Sequence, residues 1–285
     1  MKSMTMRGLK LFFRDKGGVF FSLLGVLIIF CLFIFFVGDS IIEGLEWLSD
    51  AKNIMNHWVV AGMLASASIT TSMGAYAQMV IDKEQKLYKD FYTSPISRGS
   101  IVGGYLLTGF IISVIMSVVV LVIGEIYICV NGGSILGAMQ ILKLLGVVLL
   151  SSFASSALVC FIISFVRTTN AYTTISIILG TLIGFLVGAY IPIGNLPAGV
   201  QSVIRVFPCA HSAALFRQIM MDEVAAAGFS SLPAAAHQEF DETLGVKLVF
   251  GETAAEPWVS ILILVGTGIV FYLLAILNMN RKSKK

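Results

Sequence analysis

The side chains of this sequence that could do chemistry are few, and they lie in apolar surroundings. Glu125 is the only carboxylate within a long apolar run, at residues 101–130. A charge within such a run is expensive and is a candidate functional site, although Glu125 could also reach water or pair with Lys143. Ser68 and Thr71 belong to the hydroxyl-rich run SASITTS at residues 66–72. They could line a polar pathway, or they could hydrogen-bond neighbouring helices.

No metal, redox or nucleotide chemistry is expected of the chain itself. Its three histidines, at positions 57, 211 and 237, are far apart and have no ligand spacing. Its four cysteines form no CxxC pair, and core filling is the simpler role for them. The chain also lacks the G-x-x-x-x-G-K-[ST] sequence that cradles ATP phosphates, and no nucleophile stands beside a base. We therefore expect no catalytic residue, no metal site and no cofactor in this chain.

The composition indicates a membrane protein. Of the 285 residues, 57% are hydrophobic and only 12% are charged, whereas a typical soluble domain has about 25% charged residues. A soluble globule of this size could not bury so much apolar surface, which excludes a cytosolic enzyme, a disordered regulator and a secreted disulfide scaffold. The net charge of +3 is too small to indicate nucleic-acid binding. We expect the lipid bilayer to be the main surroundings of the chain.

Six segments are apolar and long enough to cross a bilayer as helices, since a span needs about 20 residues. The first could instead be a signal peptide, but no A-x-A cleavage site follows it, so we expect a retained helix. The second is the least hydrophobic and is rich in Ala, Ser and Thr, which predicts an interior helix. The expected spans of this all-α membrane protein are residues 18–38, 57–80, 101–130, 136–166, 172–193 and 258–279.

Basic residues are distributed unevenly between the segments that join these spans. Fourteen of the nineteen Lys and Arg residues fall in the N-terminal segment, the loops after the second and fourth spans, and the C-terminal tail. Because only four carboxylates accompany those fourteen residues, that face carries a net charge of +10, and the other face is acidic. Short basic loops stay in the cytoplasm. This predicts a multi-pass protein of the bacterial plasma membrane with both termini cytoplasmic.

Residues 1–17 are predicted to form an interfacial helix. Apolar residues recur there at helical spacing, and basic residues repeat the same spacing one position later. The apolar set is Met6, Leu9 and Phe13, and the basic set is Arg7, Lys10 and Arg14. Such a helix would lie in the cytoplasmic interface, with its basic edge toward anionic headgroups and its apolar edge among the acyl chains. The alternative is a positive flank that only sets the topology.

The cytoplasmic loop at residues 81–100 contains an aromatic ridge. Its members would lie on one side of a short helix: Leu87, Tyr88, Phe91 and Tyr92. Pro95 would end that helix. A ridge of this kind either packs on its own chain or enters a groove on a partner, and so little of this chain is cytoplasmic that we favour a partner.

A segment of about 60 residues, 194–257, precedes the last span and is long for a loop, which indicates function or specificity. Its first part is fairly apolar and interrupted by proline, which predicts a re-entrant outer hairpin. Its second part, residues 229–256, is polar and acidic, which predicts a small extracellular cap.

The six spans, the basic N-terminus and the loop sequence DKEQKLYKDFYTSPISRGSIVGGYLL together resemble the permeases of type-2 ATP-binding-cassette (ABC) exporters. In that family a charged segment after the second span leads into a short coupling helix and a turn, matched here by Asp82–Gln85, Leu87–Thr93 and Ser94–Arg98. The family's outer hairpin is matched by Pro208 and Arg217. The resemblance assigns coupling to an ATPase to Glu84, Leu87, Tyr88, Phe91, Tyr92 and Pro95.

The resemblance also implies partners and an energy source. A separate ABC ATPase subunit would bind ATP and Mg and hydrolyse the ATP, and two permeases, identical or paralogous, would pair. The substrate stays open among drugs, lipids, peptide toxins and polysaccharide precursors. Two other classes of protein remain as alternatives: an ion-coupled secondary transporter, expected to show midplane charges and inverted repeats, and an immunity or assembly factor that transports nothing.

Overall fold

The computed structural model describes residues 1–45, 47–87, 98–250 and 253–282, and most of them are helical. Its α-helices are α1 (Lys2–Arg14), α2 (Lys16–Leu32), α3 (Gly38–Glu43), α4 (Ala51–Glu84), α5 (Arg98–Val130), α6 (Ala138–Ser164), α7 (Thr169–Leu186), α8 (Ala198–Ile204), α9 (Pro208–Gly228), α10 (Ala234–Thr243) and α11 (Pro257–Lys282). A π-helical turn, Phe33–Val37, follows α2, and a 3-10 turn, Ile193–Asn195, precedes α8. Two short antiparallel strands, β1 (Val249–Phe250) and β2 (Thr253–Ala254), precede α11.

Six of these helices are long and apolar enough to cross a membrane: α2, α4, α5, α6, α7 and α11. This confirms the prediction of an all-α membrane protein with six spans. The bounds differ most at the fifth span, predicted to reach residue 193, whereas α7 ends at Leu186. The cause is Gly188, whose φ of +68° is in the left-handed region that ends a helix and favours glycine.

Helix α4 is the centre of the bundle. It packs against α5, α9, α6 and α2, and its side chains are buried along nearly the whole length. Small residues make this close approach feasible, because Ala, Gly, Ser and Thr let neighbouring helices come near without voids. The largest buried side chains on α4 are Trp58 and Tyr76, which fill the spaces that the small residues leave. The prediction that the second span is an interior helix is confirmed.

The two ends of α4 meet different parts of the chain. At its C-terminal end lie α1 and the turn between α6 and α7, and we call this the loop end, because residues 85–97 follow there. At its N-terminal end lie α9 and the segment after α10, and we call this the hairpin end. Helices α8 and α9 lie in the segment for which the sequence predicted a hairpin, and α10 and the two short strands follow them.

Candidate functional site

Three consecutive charged residues at the loop end of α4 together contact four neighbouring helices. Asp82, the first of them, is almost completely buried, with 1% of its surface exposed. Arg7 of α1 donates two hydrogen bonds of 2.8 Å to its two carboxylate oxygens. The Tyr105 hydroxyl of α5 donates at 2.5 Å, and the Gln78 amide donates at 2.8 Å. Such a fully bonded carboxylate ties α1 and α5 to α4.

Lys83 binds the C-terminal end of α6. Its ammonium donates to the carbonyl oxygens of Ile163, Ser164 and Val166 at 3.2, 3.3 and 3.3 Å. The last carbonyls of a helix have no partner within the helix, and they carry the negative end of its dipole. The Lys83 ammonium therefore donates hydrogen bonds to these carbonyls and is favoured by the dipole. It also fixes the end of α6 to α4.

Glu84 binds the N-terminal end of α7. Its carboxylate accepts a hydrogen bond of 3.1 Å from the backbone N–H of Thr169, the first residue of α7. An acidic group is favourable at a helix N-terminus, where the dipole is positive. Since α6 and α7 are joined by a short turn, Lys83 and Glu84 form hydrogen bonds on the two sides of that turn.

Helix α4 ends immediately after these contacts. Lys86 has a φ of +61°, a left-handed conformation that is uncommon for a residue other than glycine and that terminates the helix. Leu87, a member of the predicted aromatic ridge, is half-buried. The other residues predicted to couple to an ATPase, Tyr88, Phe91, Tyr92 and Pro95, lie outside the residues that the structure describes. The contacts of Asp82, Lys83 and Glu84 with four helices therefore directly precede the predicted coupling segment.

The predicted interfacial helix is α1, and its residues divide into two sets. Lys10, Phe13 and Arg14 are exposed, as expected for a helix that lies at a membrane surface. Arg7 differs from the expectation that it faces headgroups, because it turns inward to Asp82, and these hydrogen bonds raise the pKa of Arg7. Helix α1 is thus attached to the bundle through Arg7.

A groove with a volume of about 930 Å³ runs between α2, α4 and α7. Its walls are mostly apolar, with hydroxyl groups from Thr70 of α4 and from Thr173 and Thr181 of α7. Arg14 and Asp15, where α1 joins α2, line it as well. Apolar walls with scattered neutral hydroxyls suit an amphiphilic molecule better than a compact ion.

Ser68 and Thr71 do not line this groove. Both are buried inside the bundle, at 1% and 0% exposure. The Ser68 hydroxyl lies 3.0 and 2.9 Å from the hydroxyls of Ser155 and Ser151 on α6, and its carbonyl accepts from Ser113 of α5 at 2.9 Å. For Ser68 this geometry fits the second interpretation, in which the hydroxyl joins helices. The Thr71 hydroxyl instead donates to the Ala67 carbonyl of its own helix at 2.6 Å.

Thr70 is the member of the same hydroxyl-rich run that lines the groove. Sequence reasoning missed it, because successive residues of a helix differ in direction by about 100° and α4 is buried on nearly all sides. An apolar stripe that would identify the groove-facing side is therefore absent from the sequence.

Glu125 lies near the end of α5 and is partly buried. One of its carboxylate oxygens accepts a hydrogen bond of 3.3 Å from the backbone N–H of Leu136, in the turn that leads to α6. The other oxygen has no hydrogen-bond partner among the described residues, and Lys143 is exposed. Glu125 thus contacts the turn between α5 and α6 and is not part of the groove lining.

The residues predicted for the outer hairpin both lie on α9. Pro208 occupies the first turn of this helix, where its missing N–H costs nothing. Arg217 is completely buried and its guanidinium stacks on Trp58 of α4. Burial lowers the pKa of Arg217 to about 9, so it remains a cation at neutral pH. Within the described ranges, no group of three or more His, Cys, Asp or Glu residues could hold a metal ion.

Comparison with known proteins adds two findings. A family model described as ABC-2 family transporter protein matches residues 42–277, which include four of the six spans completely and nearly all of the last one. Nodulation protein J of Bradyrhizobium diazoefficiens is 27% identical over 170 residues, which cover 58% of this chain. The match covers 62% of the length of that relative.

Proposed function

The chain belongs to the ABC-2 family of transporter proteins as a membrane permease subunit, and we propose that it moves its substrate outward across a bacterial plasma membrane. The energy comes from ATP, which a separate ABC ATPase subunit binds with Mg²⁺ and hydrolyses. The single observation that supports this proposal is the set of contacts that Asp82, Lys83 and Glu84 make with four helices, immediately before the predicted coupling segment. A push on that segment would reach α1, α5, α6 and α7 together.

The proposed orientation follows from charge. The loop end, with α1 and the segment after α4, is rich in Lys and Arg, and short basic segments remain in the cytoplasm. We therefore assign the loop end, both termini and the bound ATPase to the cytoplasm. The hairpin end, with its acidic segment after α9, then faces outward.

Two permease copies, identical or paralogous, form the transporting unit in this proposal. Helix α7 supports it, because α7 is the least hydrophobic of the spans that are largely exposed, and exposed Asn170, Thr173 and Thr174 lie along it. The two threonine hydroxyls donate to carbonyls of α7 itself, but lipid chains cannot hydrogen-bond the Asn170 amide, whereas a facing helix or a polar substrate can. Helices α2 and α7 would then bring the grooves of two copies to a common interface.

Substrate class and direction are tested with the purified complex of the chain and its ATPase in lipid nanodiscs. ATP hydrolysis is measured with a drug, a lipid, a cationic peptide and a polysaccharide precursor, and we expect an amphiphile to stimulate it most. The stimulating compound is then offered to inside-out membrane vesicles, where ATP should drive its accumulation. ATP-dependent loss from such vesicles would contradict export, and accumulation driven by a pH gradient without ATP would favour the secondary transporter.

A further inference from the structure

Arg217 joins three parts of the chain at the hairpin end. Its guanidinium carbon lies 4.5 Å from the centre of the Trp58 ring on α4. One terminal nitrogen donates to the carbonyl of Gly188, just after α7, at 3.3 Å. The other donates to the carbonyl of Gly245, just after α10, at 3.4 Å. Trp58 is fixed in turn, because its indole N–H donates to the Leu244 carbonyl at 2.8 Å.

Both acceptor carbonyls belong to turns that require glycine. Gly188 and Gly245 have φ angles of +68° and +66°, which side-chain-bearing residues rarely adopt. A Cβ at Gly245 would also lie 3.1 Å from the nearer terminal nitrogen of Arg217. Two turns with left-handed glycines therefore contact one guanidinium. Such turns restrict the sequence, which would be unnecessary if the Arg217 side chain only filled space.

The contacts of Arg217 are weaker than those of Arg7. No carboxylate lies within ion-pair distance of Arg217 in the part of the chain that the structure describes, and its Nε has no hydrogen-bond partner there. Arg217 is held by two long hydrogen bonds to neutral carbonyls and by an aromatic face. Burial of its charge costs desolvation free energy, and no ion pair offsets that cost. Such a contact is easier to open than the Arg7–Asp82 pair.

The position of Arg217 relates it to the groove. Helices α4 and α7 both line the groove, and Tyr190, two residues after Gly188, lines it as well. Ala189, between them, is 3% exposed and lies against the surface of α4 at Gly62. Arg217 thus connects α4 and α7 where the groove meets the hairpin end, opposite the charged contacts of the loop end.

We propose that Arg217 is a positioning residue that keeps the hairpin end of the groove closed by holding Gly188 and Gly245 against α4, and that ATP-driven movement of α4 releases this contact. The proposal rests on the proposed function, since it needs an ATPase that moves α4. It explains why a buried cation is kept at a site where an apolar side chain would fit.

The experiment uses Ala189→Cys as a reporter in the full chain, with the native cysteines replaced by alanine. A membrane-impermeant maleimide labels the reporter, and the labelling rate measures how often the contact opens. The rate is compared in the Arg217→Met, Arg217→Lys and Arg205→Met backgrounds. Arg205 is the matched control, because it is on the same hairpin and its guanidinium contacts only Gln201 within the described ranges.

Arg217→Met should raise the labelling rate about threefold to thirtyfold, Arg217→Lys should raise it less, and Arg205→Met should leave it unchanged. The unfolding temperature of Arg217→Met should be unchanged or higher, since an apolar side chain of similar length replaces a buried cation. An unchanged labelling rate in Arg217→Met would overturn the proposal. A rise accompanied by a loss of thermal stability in both Arg217 variants would also overturn it, because that result describes a structural anchor.

The second arm adds the ATPase. In the complex, ATP and Mg²⁺ should raise the labelling rate of the reporter in the otherwise wild-type chain. In the Arg217→Met background they should raise the labelling rate little further, because the contact is already open. If the ATPase binds and hydrolyses ATP while the labelling rate stays constant, this proposal fails and the proposed function stands. If no ATPase binds the chain, the proposed function fails as well, and the two failures are distinguished.

Discussion

The Arg7 guanidinium makes two hydrogen bonds of 2.8 Å to the Asp82 carboxylate, across 75 residues of sequence. Asp82 is buried and Arg7 is about one-third exposed, so the pair lies at the boundary between the bundle and the surface. Bidentate geometry makes this one of the stronger polar contacts available to a protein. It attaches the helix expected at the membrane surface to the end of α4 that precedes the predicted coupling segment.

We expect Asp82→Asn to lower the free energy of unfolding by about 2 kcal/mol, because Arg7 then loses its counter-charge in a partly buried site. Arg7→Gln should cost a similar amount, since it leaves the buried carboxylate unpaired. The double variant should cost clearly less than the sum of the two, and thermal unfolding of the detergent-solubilised protein measures all three. Additive losses would show that the two side chains do not interact.

Lys83→Met should lower the free energy of unfolding by about 1 kcal/mol, because the last carbonyls of α6 lose the hydrogen bonds and the positive charge of the Lys83 ammonium. Lys86→Met is the matched control. Lys86 is exposed, carries the same charge and is three residues away, and its removal should change stability by less than about 0.5 kcal/mol. Equal effects of the two substitutions would mean that charge near this end, and not the contact with α6, is what matters.

The stability of the hairpin end should depend on pH through His211. Burial lowers the pKa of His211, whose ring nitrogens contact the Arg205 carbonyl at 2.8 Å and the Ser260 hydroxyl at 3.0 Å. The unfolded state then binds a proton more readily than the folded state, so stability is full above about pH 6.5 and falls as the pH drops below it.

His211→Gln can keep both hydrogen bonds, and it cannot take up a proton. The variant should therefore lose less thermal stability than the wild type between about pH 7.5 and pH 5.5. Unfolding temperatures measured at both pH values provide the comparison. An acid-induced loss of the same size in the variant would assign the pH dependence to other groups.

Glu125→Gln should leave ATP-driven transport and its pH dependence unchanged. Glu125 contacts the Leu136 backbone and is not part of the groove lining, and the amide oxygen of glutamine can accept the same hydrogen bond. The measurement is ATP-dependent accumulation in inside-out vesicles across a pH series. A variant that loses transport, or loses its pH dependence, would favour an ion-coupled mechanism in which Glu125 carries a proton.

The number and order of the spans could be predicted from the sequence, because each is a long apolar run and lipid requires every backbone polar group to bond within its helix. The interior position of α4 was also predictable, since Ala, Gly, Ser and Thr are frequent in it. The end of α7 was not, because it depends on Gly188, a glycine within an otherwise apolar run.

Pairs of distant residues could not be predicted. In the sequence, Arg7 and Asp82 each look like an ordinary charged residue at a protein surface. Only the crossing of α1 with α4 and α5 brings them together. For Arg217, resemblance gave a place in the hairpin, but nothing in the sequence indicates that its partners are the backbone of Gly188 and Gly245. Thr70 and Thr71 show the same limit within one helix, since only packing distinguishes the groove side from the interior.

The most direct test of the account is the amount of ABC ATPase that co-purifies with the tagged full chain from native membranes. The wild-type chain should retain an ATPase with a Walker motif at a constant ratio, and Leu87→Asp and Phe91→Asp should lose most of it, because a charge is placed in the predicted aromatic ridge. Ala235→Asp, an exposed position on α10 at the hairpin end, is the control and should retain it. Retention of the ATPase by both ridge variants at the wild-type ratio would contradict coupling through this segment.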